Sequence, residues 1–489
     1  MSFVDTLVVV AVMALVTWMG HRLSGGTATR AQFFNAGGGL PWWAVSSSII
    51  ATVVSSVTFI SVPAAVFRDG GNLTYFQMIL GLALGKVVTA WLFARPYYAS
   101  SSVNTTYDYI AARMAPLVGQ MSMWVGLVLN LINTAVKLLT TALVLSVMTD
   151  WSLSICCVFI ISFSVLWSWL AGLKTVIWTD FLLFVIFALG ALFAVFWITA
   201  IIDMPLTEAW RTLDSNAKTA LFDLSVDPQV TYTLWAGILG SIALSISIAA
   251  AQGTLQRVKA CRSADDARKA YNLSALFYAL HLLILVVGLA LWLFYAEAGV
   301  PDVLAQQLVD QPDRIFPYFI MTEIPVGVSG LLIAAIFAAG ISTLDSALAE
   351  VADISVSNIY EPLRRGATDA HYLLVSRLFL IFWAVLFYAA AMFFSQFQAE
   401  GLLNLTFKLP NYLTGVLFGT ILLARFRIGG VVEFVVGFVV ACGVVYWMQA
   451  QSIAFLWWCP GSGLAMLFVA AAIARLRGRW QPELSGVVA

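Results

Sequence analysis

Apolar residues come in long runs along this chain, with polar residues largely confined to the breaks between them. Runs near 4–21, 43–67, 74–94, 118–147, 153–171, 175–200, 232–252, 271–296, 327–356, 371–396, 400–424, 430–449 and 453–474 each offer about the 20 residues that a bilayer-spanning helix needs. They predict an all-α integral membrane protein with about 13 transmembrane helices. The longest polar breaks fall near 203–230, 253–270, 297–326 and 357–370. Two of them open helix-like segments at Pro205 and Pro301, a residue type suited to the first turn. These segments read as short outer lids or as plain connectors.

Hydrophobic residues make up 61% and charged residues 10% of the 489 positions, with a net charge of zero. Such a balance excludes an ordinary soluble domain and gives no basic patch that would call for a nucleic acid. With the amino terminus outside, 18 of the 25 Lys and Arg residues, Arg257 among them, fall in inner segments. The positive-inside bias therefore predicts a multi-pass protein of the cell membrane, surrounded by lipid, with its amino terminus outside and its carboxyl terminus cytoplasmic. The first apolar run lacks a basic leader and a small-residue cleavage site, so it reads as a span and not as a signal peptide. Five cysteines and three histidines show no ligand or disulfide spacing, and no nucleophile–base constellation suggests an enzyme.

Polar residues inside the runs carry the chemistry. Ser342, Asp345 and Ser346 fall three and four residues apart and share a helix face, with Thr343 beside them. An acid is costly in a membrane span and marks a functional position. Together with hydroxyls and carbonyls it suits a small hard cation such as Na⁺. Between Ser46 and Thr58, hydroxyl and β-branched residues crowd at mid-depth. The stretch fits a helix broken so that its carbonyls face an ion, or a continuous one whose serines bond back to the preceding turn. For a solute, Ser55, Ser56 and Thr58 stand here, Gln77 in the next span, and Asn133 and Lys137 in the one after. Lys137 either attracts a carboxylate-bearing solute or pairs with a buried acid. Asp180, shortly after Lys174, either holds an ion or serves an interfacial helix start, and Glu350 and Asp353 read as lining the inner exit.

Five stretches carry a family resemblance: Asp313-Arg-Ile-Phe-Pro-Tyr318, Pro325-Val-Gly-Val-Ser-Gly-Leu-Leu332, Ala338-Ala-Gly-Ile-Ser-Thr-Leu-Asp-Ser346, Gly172-Leu-Lys-Thr-Val-Ile-Trp-Thr-Asp180 and Gln252-Gly-Thr-Leu-Gln-Arg257. The chain resembles the sodium:solute symporter family, in order, from about residue 35 to 425. The resemblance implies one transporter domain over 1–489 with the five-plus-five inverted repeat of the amino-acid symporter LeuT. The repeats would be 43–200 and 232–424, each opening with a discontinuous helix, preceded by an extra helix at 4–21 and followed by two helices within 430–474.

The same resemblance implies Na⁺ as the coupling ion. A first site would use the backbone carbonyls of Ala51, Val54 and Ala339 and the hydroxyls of Ser342 and Thr343. A second would use Asp180, Ser342, Asp345 and Ser346, with Asp345 where a serine would be the simpler ligand, which leaves proton participation open. Serine, threonine and glutamine in positions like those above serve acidic-sugar members, whereas Val57 and Thr58 stand where hexose carriers have an acid and a glutamine. Asn411 and Tyr412, next to Pro410, are placed to close an outer gate. The implied function is secondary active symport of Na⁺ with a small organic solute into the cell by alternating access, the solute being read as an acidic sugar or carboxylate. A proton-coupled symporter and a membrane solute sensor without transport are the alternatives. Nothing in the sequence indicates an oligomeric state.

Overall fold

Hydrocarbon offers backbone N–H and C=O groups no partner, so an apolar run must satisfy its own by coiling into a helix. A computed structural model describes residues 2–24, 30–52, 56–100, 103–149, 151–202, 204–396 and 402–478. The elements are α1 (Phe3–Ser24), α2 (Arg30–Asn35), α3 (Trp42–Ala51), α4 (Ser56–Phe67), α5 (Phe76–Ala99), α6 (Thr106–Arg113), α7 (Pro116–Thr149), α8 (Leu153–Ile201) and α9 (Leu206–Ser215). A π-helical turn, Ala236–Gly240, leads into α10 (Ser241–Ser247), followed by α11 (Gln252–Ala260), α12 (Ala264–Phe277), α13 (Ala279–Ala298), α14 (Asp302–Asp310) and α15 (Ile315–Thr322). The chain continues through α16 (Val328–Ile354), α17 (Glu361–Leu363), α18 (Asp369–Phe394), α19 (Leu402–Phe426), α20 (Val431–Ala450) and α21 (Trp458–Leu476).

Among the described residues, nine helices are long and apolar enough to cross a membrane and two bent pairs do so together. The shorter apolar helices Phe3–Met19 and Leu153–Trp169 complete the order of apolar runs read in the sequence. Short helices follow Pro205 and Pro301, as α9 and α14.

The two bends fall in the helices expected to be discontinuous. The axes of α3 and α4 diverge by 56° and those of Ala236–Ala250 and α11 by 73°. In the second, Ala251 adopts an extended backbone (φ −77°, ψ 142°) that ends one helical segment before Gln252 starts the next. Val54 and Ser55, two of the anticipated site residues, lie outside the described residues. A third interruption divides α8 at Gly172, whose φ of 64° is in the left-handed region that favours glycine. A Cβ there would also run into the Phe33 backbone.

Helix α16 runs through the centre, with 94% of its most apolar stretch buried, and packs against α1, α7, α8 and α18. Its amino-terminal end is held by the extra helix. Asp5 of α1 accepts hydrogen bonds from Gly327 N at 2.8 Å, Gly330 N at 3.0 Å and Ser329 Oγ at 2.7 Å. A carboxylate there satisfies otherwise orphaned N–H groups and matches the positive end of the helix dipole. The carboxyl-terminal end of α4 is closed in the opposite sense by the loop residue Lys218, which donates to the carbonyls of Val66, Phe67 and Arg68 at 2.9, 3.2 and 2.8 Å.

Candidate ion and solute site

The polar face of α16 meets α8 below the break between α3 and α4. Ser342, Thr343, Asp345 and Ser346 are all buried, as is Asp180 on α8. Ser342 donates its hydroxyl to Asp180 Oδ1, and Ser48 of α3 donates to Asp180 Oδ2 at 2.5 Å. One carboxylate thereby joins the first and eighth helices of the core to the fifth, in the order counted from residue 43.

Arg257 enters the same cluster. The sequence places it with the cations of the inner segments, and in the fold it is only 4% exposed. Its Nη2 lies 2.6 Å from Thr52 Oγ1, 3.1 Å from Ser346 Oγ and 3.9 Å from Asp180 Oδ2. Its Nε donates to Ser48 Oγ at 3.2 Å, and Nη1 lies 3.8 Å from Glu350 Oε1. The reason is local: the chain turns by 73° before α11, which aims the end of the Gln252–Arg257 run back into the protein. The planar guanidinium, with five donors, can serve this many acceptors where a lysine could not.

Of the proposed first-site ligands, Ala51, Ala339 and Ser342 line one small void of about 10 Å³, closed by Leu183, Phe184 and Phe187. That is about the room one water-sized particle occupies. Thr343 Oγ1 donates to Ala339 O at 2.9 Å, leaving oxygen lone pairs on both residues. Asp180 and Asp345 outnumber Arg257 by one formal charge here, and neither Asp345 oxygen has a hydrogen-bond partner among the described residues. Hydroxyl and carbonyl oxygens around a single-particle void, with the Asp180 carboxylate bonded to its Ser342, form a donor set that fits Na⁺.

Above it opens a cavity of about 230 Å³. Thr58, Asn133, Lys137 and Asn411 line it, with Thr343 between cavity and ion cluster. Three other anticipated residues are used elsewhere. Ser56 pairs its hydroxyl with Thr141 Oγ1 at 2.6 Å. Gln77 ties α5 to the outer segment, donating to Tyr232 O at 2.8 Å and accepting from Asp223 N at 3.2 Å. Tyr412 packs its ring against Trp458, 4.9 Å between centroids.

The inner end of the cavity is closed by acids and amides. Glu350 lines it and accepts from Asn130 Nδ2 at 3.3 Å. Asp353, next below, accepts from Gln252 at 2.6 Å, Gln256 at 2.9 Å and Ser357 at 2.9 Å. The sequence reading missed Arg257 as a site residue, along with Ser48 and Thr52. An arginine directly after an apolar span looks like an interfacial anchor, and only the bend reveals its direction. It also missed His281 and Tyr75, which line the cavity; a lone histidine in an apolar run was the available signal.

Discontinuous helices crossing at a central cavity, with an oxygen-lined cation cluster between them, define a secondary transporter of the LeuT type. Residues 33–427 match the sodium:solute symporter family, and the chain belongs to it. It is 25% identical to the sodium/sialic acid symporter NanT of Aliivibrio fischeri, over 90% of this chain and 86% of that protein. It is 27% identical to the human sodium/iodide cotransporter, over 86% of this chain and 65% of that one. A solved Na⁺-coupled sialic acid symporter, in a substrate-bound outward-open state, shares the fold with a TM-score of 0.87 at 22% identity, covering 98% of each chain. The protein is a multi-pass membrane symporter that couples solute movement to Na⁺.

Proposed function

We propose that the solute is a carboxylate-bearing organic anion and that Lys137 is its charge partner. The observation that carries this reading is that Lys137, the one lysine or arginine among the described lining residues of the central cavity, lines it together with Asn133 and Thr58. Glu350, which lines the same cavity and attracts Lys137 electrostatically, is shared with Arg257 at 3.8 Å and Asn130 at 3.3 Å. A cation buried within protein attracts an anion more strongly than one in bulk water, and Asn133 and Thr58 add uncharged donors nearby. Relatives named for sialic acid and for iodide, both anions, support the same sign of charge.

In this reading Na⁺ occupies the void beside Ala51, Ala339 and Ser342, completed by Val54 and Thr343, and draws the broken first helix against α16. That closes the floor of the solute cavity, so each ligand strengthens the other. Asp180, Asp345 and Ser346 form the second cation cluster around Ser342. The repeats are 43–200 and 232–424, and inward opening parts α3 from α16 and releases both ligands. The amino terminus is outside and the carboxyl terminus cytoplasmic, in the cell membrane, so an inward Na⁺ gradient drives uptake, assisted by ~2.3 kcal/mol per charge per 100 mV.

The test is Na⁺-driven uptake of radiolabelled sialic acid, glucuronate and lactate into proteoliposomes. Lys137→Met should lower uptake of the transported acid at least about tenfold, the loss of ~1.4 kcal/mol or more, and Lys137→Arg should retain part of it. Full uptake by the Met variant overturns the reading. Na⁺-dependent binding without flux in wild type would favour a sensor.

A further inference from the structure

Resting on the reading of the small void as the Na⁺ site, we infer that the second cation cluster is filled by the chain's own Arg257 guanidinium. Each transport cycle then couples one Na⁺ and not two.

The family resemblance implies a second Na⁺ among Asp180, Ser342, Asp345 and Ser346. In the fold, Arg257 stands among these ligands. Its Nη2 donates to Ser346 Oγ at 3.1 Å and lies 3.9 Å from Asp180 Oδ2. Its Nε donates to Ser48 Oγ at 3.2 Å, and that hydroxyl donates in turn to the same Asp180 oxygen at 2.5 Å. Asp345 is buried within electrostatic range of both Asp180 and Arg257. The small void, by contrast, is lined by Ala51, Ala339 and Ser342 but not by Asp180, Asp345 or Ser346.

Donor chemistry and charge both oppose a second ion here. Guanidinium N–H groups and a metal ion draw on the same oxygen lone pairs. A Na⁺ among these oxygens would also lie beside a fixed positive charge, where like charges repel more strongly than in water. Asp180 and Asp345 bring two negative charges and Arg257 one positive charge. A single Na⁺ beside Ser342, which donates to Asp180, completes the balance. A second would leave a positive charge buried without compensation. Glu350, 3.8 Å from Arg257 Nη1, is attracted by Lys137 from the cavity side and does not supply it. An arginine keeps its charge in a protein and, being part of the chain, is not released when the site opens inward. Asp180 therefore stays compensated through the cycle while only the ion in the void is exchanged.

The experiment counts ²²Na⁺ bound at saturation to the purified full chain, with and without sialic acid, for wild type and Arg257→Ala. Wild type should hold one Na⁺ per chain in both conditions. Arg257→Ala vacates room between Asp180, Asp345 and Ser346, so bound Na⁺ should rise about twofold. The thermal midpoint of the variant should also climb more steeply with Na⁺ concentration than that of wild type, because two ions now bind the folded state. Two Na⁺ per wild-type chain in either condition overturn the inference, and this count decides even where the variant does not fold. A folded Arg257→Ala chain that still binds one Na⁺ overturns it as well. No Na⁺ bound by wild type overturns the reading of the void instead.

Discussion

Ser342 donates its hydroxyl to the Asp180 carboxylate while the same residue lines the small void beside Ala51 and Ala339. One side chain thereby joins α8 to α16 and faces the place where a cation fits. Replacing it by alanine removes one neutral oxygen ligand and one hydrogen bond to a charged group. The expected stability loss is about 1.5–3 kcal/mol, whereas the Na⁺ concentration for half-maximal uptake should rise at least about tenfold. Uptake in proteoliposomes against external Na⁺ checks this, and an unchanged Na⁺ dependence in Ser342→Ala would remove the serine from the ion site.

Ion identity is testable without a solute. A ligand bound only by the folded state raises stability by RT ln(1 + [L]/Kd), about 2.7 kcal/mol at 100 times Kd. Purified protein in NaCl should melt higher than in KCl at equal ionic strength. Equal midpoints in the two salts, with a strong dependence on pH, would instead support coupling to protons through the Asp180 and Asp345 cluster.

Most of the architecture could be read from the runs themselves, because a bilayer imposes length and apolarity on every crossing helix. The face of α16 was legible for the same reason: Ser342, Asp345 and Ser346 can share a side only at helical spacing. Directions set by bends were not legible. Arg257 reads as an inner-face cation until α11 folds back at Ala251, and Gln77 reads as a cavity residue until Tyr232 and Asp223 of the outer segment are brought over it. Both depend on long-range packing that no local pattern encodes.

Arg257 gives the largest expected stability effect. It is buried against Asp180 and Glu350 and bonds Ser48, Thr52 and Ser346. Arg257→Met would leave two buried acids without their cation, a loss of roughly 3–5 kcal/mol. Lysine restores the charge but not the planar fork of donors, so Arg257→Lys should recover only part. Thermal midpoints of the three proteins, at one detergent and salt concentration, give the ranking; equal midpoints for wild type and the Met variant would refute it.

Asp5 separates anchoring from ion binding. Its carboxylate holds the start of α16 through Gly327, Ser329 and Gly330, 15 residues before Ser342, which is about 20 Å along a helix. Asp5→Ala leaves buried donors unsatisfied and removes a negative charge from a helix amino terminus, which together cost about 2–3 kcal/mol. Asp5→Asn can still accept a hydrogen bond and should lose less. Because the clamp lies far from the cation cluster, the Na⁺ concentration that gives half-maximal stabilisation should change less than about twofold in either variant. A lower midpoint with unchanged Na⁺ response is the expected pair of results. If Na⁺ affinity fell together with stability, α1 would have to set the position of the whole α16 helix at the ion site, and the extra helix would belong to the coupling mechanism and not only to the fold.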